Sequence, residues 1–177
     1  MTVDQVSTRS PGRSNAADIL LDGLFAGAIG ALAVAVWFLI IDMMAGRPLY
    51  TPTLLGTVLL HGGAAAAQGV VVAPLEVAAY TAFHFLAFLV VGTAFSWLMT
   101  MFERFPIVGF VILVLALCLQ VGFFAADAAL GAQLLGQLKP WTVIVANLLA
   151  ALSMTLYLWK RHPGIKENLS HIWDHEE

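Results

Sequence analysis

Four long apolar runs, separated by short polar breaks, dominate the pattern along the chain. Residues 23–41 contain no charge and end at Asp42; the second run lies between Glu76 and Glu103, with His84 its one strongly polar member. A third covers residues 105–126 and stops at Asp127, and a fourth covers 140–159 and stops at Lys160 and Arg161. Crossing a hydrocarbon core takes about 20 helical residues, and each run meets that length. The alternating segments of about 10 residues that a membrane barrel needs do not occur. Inside lipid the backbone has to satisfy its own hydrogen bonds, so the runs predict helices, over about residues 23–43, 75–101, 106–126 and 140–159. The expected fold class is all-α: an integral membrane four-helix bundle.

The connections differ in kind. Residues 102–106 make a short turn, which predicts that the second and third helices form an antiparallel hairpin. The segment from Asp42 to Glu76 is long and itself apolar. Within it Thr51 reads as an N-cap, with Pro52 at the first helical position. Leu54, Leu55, Val58 and Leu59 then share one face until Gly62 and Gly63 end the pattern. A helix over about 52–61 is too short to span, so it is expected to lie at the interface or dip partway in. Residues 62–69 read as a weak Ala/Gly connector, and 127–138 as a second interfacial turn. Residues 1–18 read as a flexible tail, and 162–177 as an amphipathic tail carrying Ile165, Leu169, Ile172 and Trp173.

Composition sharpens the membrane reading. Of 177 residues 60% are hydrophobic and only 11% are charged, against roughly 25% charged in soluble domains. The net charge of −3 argues against nucleic acid as a partner. Arg9, Arg13, Arg104, Lys160, Arg161 and Lys166 fall on one side of a four-span layout, and Arg47 and Lys139 on the other. The positive-inside rule then places both termini in the cytoplasm, and the expected location is the inner membrane, as a multi-pass protein. Trp37, Trp97, Trp141 and Trp159 fall near span ends, where indole rings favour the headgroup layer. The single cysteine, Cys118, cannot close an internal disulfide.

His84 is the most informative residue, about 13 Å below the outer end of its span. Buried ionisable groups in spans point to function: a haem ligand, a quinone partner or a proton relay. The alternative is a neutral imidazole bonded across helices, which fixes register. No second histidine sits in a span to complete a haem site. Gln120 and Asn147 fall about 10 Å below the outer ends of their own spans, which predicts one polar layer with His84. Gly23, Gly27, Ala31 and Ala35 recur every four residues and predict a smooth ridge for close helix approach, within the bundle or against another subunit. Asp42, Glu76 and Asp127 read as helix-end markers rather than a metal site, with Asp42 and Arg47 able to pair across the turn. His171 and His175 share a helix face at an acidic terminus but lack the Glu of a zinc-protease motif.

No catalytic motif, nucleotide-binding fingerprint or interrupted-helix pattern of a transporter occurs. Residues 46–56 (GRPLYTPTLLG), the Tyr80/His84 pair and residues 159–163 (WKRHP) resemble an uncharacterised family of small four-span bacterial membrane proteins, over most of the chain from the first span onward. That resemblance implies the architecture and no activity. Two functions are therefore expected in competition. One is a non-catalytic accessory or scaffold subunit of a larger assembly, such as a respiratory or photosynthetic complex, in contact with lipids and other membrane subunits. The other is a small membrane protein binding a haem, quinone or similar ligand around His84, although no cofactor is required by any motif.

Overall fold

The computed structural model describes residues 16–102, 108–130 and 138–161. The described residues form α-helices and no strand: α1 (Ala16–Met44), α2 (Tyr50–His61), α3 (Gly63–Ala67), α4 (Pro74–Phe102), α5 (Val108–Leu130) and α6 (Pro140–Arg161). Among them Ala16–Met44, Pro74–Thr100 and Pro140–Arg161 are each long and apolar enough to cross a membrane. The tails 1–15 and 162–177, the turn 103–107 and the segment 131–137 lie outside the described residues. So do the expectations of a flexible N-terminal tail before Ala16, the C-terminal amphipathic segment and the His171/His175 pair. α1 begins at Ala16, within the stretch read from the sequence as tail, and α5 continues through Asp127 to Leu130.

α1 is the centre of the assembly, packed against α4 on one face and α6 on another, with α5 laid on α6 and α2 on α4. Between Gly23 and Ile41 α1 is apolar all round, so polarity does not decide which of its faces is buried; side-chain size does. Gly23, Ala26, Gly27, Gly30, Ala31 and Val34 form the buried face of α1, while that of α6 combines Ala146, Ala150 and Ala151 with Val143, Met154 and Leu158. A Cβ on Gly23 or Gly27 would collide with the α4 backbone at Thr93 and Phe88, and one on Gly92 would collide with Gly23 and Gly27. Glycine is required on both sides of this crossing. Gly30 opens instead onto Met154 of α6. Leu, Ile and Val at 20, 32, 36, 40, 86, 90, 148, 152 and 156 point outward.

Polar bonds fix the ends. Arg161 Nε donates to Asp22 Oδ1 at 2.8 Å, with the Tyr157 hydroxyl facing the same carboxylate. The start of α1 and the end of α6 therefore lie at one end of the bundle. At the opposite end Trp37 Nε1 donates to Thr142 O at 2.9 Å. α1 thus runs antiparallel to α6, and by the Gly27–Phe88 crossing to α4.

Beyond Met44 the chain turns in a Schellman motif: Gly46 (φ 68°) and Arg47 donate back to the carbonyls of Met43 and Asp42. α2 then starts from Leu49, itself left-handed at φ 64°. Thr51 is not the cap expected from the sequence. It lies inside the first turn, and Asp42 caps it from the end of α1, accepting from Thr51 N at 2.7 Å and Thr51 Oγ1 at 2.8 Å. A carboxylate at a helix N-terminus also opposes the positive end of the helix dipole. With both carboxylate oxygens so engaged, Arg47 lies over the Tyr50 ring at 4.0 Å rather than pairing with Asp42. Leu54 and Val58 are the buried face of α2, and Gly56 sits against the backbone of Glu76. The stretch read as a connector contains the single turn of α3.

Candidate functional site

The close crossing of α1 and α4 ends at Ala31 and His84. A small residue at 31 lets the imidazole reach the helix backbone, and His84 Nε2 lies 3.2 Å from Ala31 O. On the other side of the ring the Tyr80 hydroxyl lies 3.4 Å from Nδ1. Tyr80, His84 and Phe88 follow one another at helical i, i+4 spacing, so they stack along one face of α4. The His84 and Phe88 rings are 4.7 Å apart and the Tyr80 and His84 rings 5.5 Å. A carbonyl can only accept, so Nε2 carries the proton and donates to Ala31 O. The neutral ring then accepts at Nδ1, and the Tyr80 hydroxyl is the donor. Two features that look separate in the sequence, the small-residue ridge and the polar layer, meet at this bond.

Beyond the His84–Ala31 contact the two helices stop filling the space between them. A slot of about 210 Å³ opens, walled by Val34, Ala35 and Phe38 of α1 and by Val77, Tyr80 and His84 of α4. Thr51 and Pro52 of α2 roof it, with Leu49 just before that helix. A second cleft of about 340 Å³ lies between α4 on one side and α5 and α6 on the other. It shares Val34, Phe38, Tyr80 and His84 with the first. The short turn predicts α5 packed against α4, but among the described residues α5 rests mainly on α6, and a cleft lies between it and α4 near His84. Small-molecule sites are mostly apolar concavities of roughly 300–1,000 Å³ with a few convergent polar groups, and the two clefts together match that description.

The remaining members of the expected site are placed as follows. Asn147 Nδ2 donates to Gln120 Oε1 at 2.9 Å, so these two bond to each other across α5 and α6. His84 bonds elsewhere, but Asn147 and His84 line the same cleft. Gly23, Gly27 and Ala31 are covered by α4 within the chain, whereas Ala35 is exposed and lines the slot. The carboxylates take separate partners: Asp42 holds Thr51, and Glu76 lies 3.2 Å from His61. The side chain of Asp127 lies outside the described residues, and among those described no group of three His, Cys, Asp or Glu is placed to hold a metal.

Sequence reasoning underrated Tyr80 and missed Asp22. Tyr80 carries a signal, its position one helical turn before His84. Asp22 carries another: it stands immediately before the first apolar run, at the end of the bundle where Lys160 and Arg161 close the last. Comparison with protein-family models, with curated proteins and with solved structures finds no match to this chain, so its function rests on the chemistry of the site.

Proposed function

We propose that the chain is a four-span protein of the bacterial inner membrane, with both termini cytoplasmic, that holds a small, mostly apolar molecule beside Tyr80 and His84 and turns nothing over. α5 supplies the fourth span; its 23 residues extend about 35 Å at helical rise. The asymmetry of basic residues supports the orientation, with Asp22 and Arg161 at the cytoplasmic end. The observation that carries the binding reading is the pair of apolar clefts meeting at one donor–acceptor couple. A haem iron would have to strip His84 Nε2 from Ala31 O or displace the Tyr80 hydroxyl from Nδ1, and no second histidine among the described residues lines either cleft, which argues for a ligand held by hydrogen bonds instead.

The accessory-subunit reading draws on a different observation, an outward groove along α1 and α6 formed by Ile29, Leu32, Val36, Leu149, Leu152 and Leu156. It loses its earlier support from the glycine ridge, because α4 covers that ridge. Native mass spectrometry of the protein released from lipid nanodiscs tests both readings. The binding reading predicts a small molecule retained by the wild type and lost in Ala35→Phe, whose ring fills the slot. Identical small-molecule content in the two proteins, with a second protein subunit retained in both, favours the accessory reading.

A further inference from the structure

We infer that the slot takes a neutral lipid-phase molecule bearing a hydroxyl group, with the hydroxyl seated between Tyr80 and His84 and the apolar body running toward α2. The inference rests on the binding reading above and names the class of ligand. Charge narrows the class first. Among the described residues Asp42 is the only Asp, Glu, Lys or Arg lining the slot, and Thr51 engages both of its oxygens. A charged headgroup would therefore lie in an apolar slot without a counter-charge, which is costly. The body of the ligand meets Val34, Ala35, Phe38 and Val77 instead.

Hydrogen-bond polarity narrows it further. With Nε2–H committed to Ala31 O, the couple facing the clefts is one donor, the Tyr80 O–H, and one acceptor, His84 Nδ1. Their 3.4 Å separation exceeds the roughly 2.5–3.0 Å of a well-made O–H bond, so the pair is loosely closed. A ligand hydroxyl accepts from Tyr80 and donates to Nδ1, replacing one long bond by two ordinary ones. Seating it moves the Tyr80 oxygen outward by about 1 Å, and the cavities flanking Tyr80 leave room for that. A ketone or ether only accepts; it would take the Tyr80 proton and leave Nδ1 with no donor. Length fits as well. From Val34 to Asp42, its lining residues on α1, the slot follows the helix for about 12 Å, the length of an extended chain or a fused-ring body rather than of a small solute.

The probe is dodecanol carrying a diazirine in its chain, added to the full-length protein in phosphatidylcholine nanodiscs, with its methyl ether as control. Photolabelling is expected to saturate on peptides containing Val34–Asp42 and Val77–Phe85. The ether, which keeps the chain but cannot donate, is expected to label these peptides about fivefold less, as is dodecanol with Tyr80→Phe. Saturable labelling by alcohol and ether alike would overturn the hydroxyl class and leave the binding reading intact. Labelling that never saturates with either probe would overturn both. The wild-type alcohol-to-ether ratio decides the matter even if Tyr80→Phe fails to fold.

Discussion

Substituting Gly27 by alanine tests the crossing on which the slot is built. The added Cβ would collide with Phe88 O and stand 2.9 Å from Leu89 Cα, backbone atoms that cannot swing aside. Restoring ordinary contact requires α1 and α4 to part by about 1 Å, which forfeits a quarter to a half of each dispersion contact across the crossing. Overpacking of this kind costs about 1–3 kcal/mol. The same movement stretches the 3.2 Å bond from His84 to Ala31, worth about 0.6–2 kcal/mol between membrane helices. Less the roughly 0.5–1 kcal/mol that alanine gains over glycine within a helix, the expected loss is about 1–4 kcal/mol in total. Reversible unfolding by SDS in mixed micelles, followed by far-UV circular dichroism, measures it. Gly122→Ala is the matched control, since a Cβ there meets nothing within 4 Å; it should stabilise by about 0.5–1 kcal/mol through backbone entropy alone. A Gly27→Ala protein within about 0.5 kcal/mol of wild type would refute the tight crossing.

Three further outcomes are expected. Asp42→Ala removes the cap of α2 and should destabilise it by about 2 kcal/mol, read as faster hydrogen exchange over Tyr50–His61 with the α1–α4 amides unchanged; equal protection would mean the cap is dispensable. A double-mutant cycle on Gln120→Leu and Asn147→Leu should give a coupling of about 0.6–2 kcal/mol, and zero coupling would deny that the two side chains bond in the membrane. Single cysteines at Ser7 and Gly63 should react from opposite sides of sealed membranes, and reaction from one side would refute the four-span topology.

Helix positions were legible from the length of the apolar runs, except where α1 starts earlier, at Ala16, and α5 continues past Asp127 to Leu130. The break at Asp42, the Pro52 signal and the final Lys160–Arg161 pair correspond to ends the structure also has. The small-residue repeat at 23, 27 and 31 was readable as a close-approach face, but nothing in a 3.6-residue period says which helix will cover it. That depended on Gly92, whose significance appears only when it faces Gly23 and Gly27. The cap of α2 was misplaced for a related reason. Thr51-Pro52 has the local signature, yet the acceptor came from Asp42, nine residues earlier, and tertiary capping leaves no local pattern. Gln120 and Asn147 were matched in depth from their distances to span ends, and they do bond. His84 at similar depth faces α1 instead, because depth fixes height along a bundle and not direction around it. The slot was invisible in the sequence, since a cavity is defined by where packing stops.

The most direct test of the slot as a binding site is fluorine NMR of the protein labelled with 3-fluorotyrosine in nanodiscs. Three tyrosines give three lines, and the loss of one in Tyr80→Phe assigns the site. Tyr80 lines the slot, whereas Tyr50 and Tyr157 do not. As dodecanol is added, the Tyr80 line should shift to a plateau while the other two stay in place. A Tyr80 line that does not move, or one that moves in step with the other two without saturating, would contradict a binding site at Tyr80 and His84.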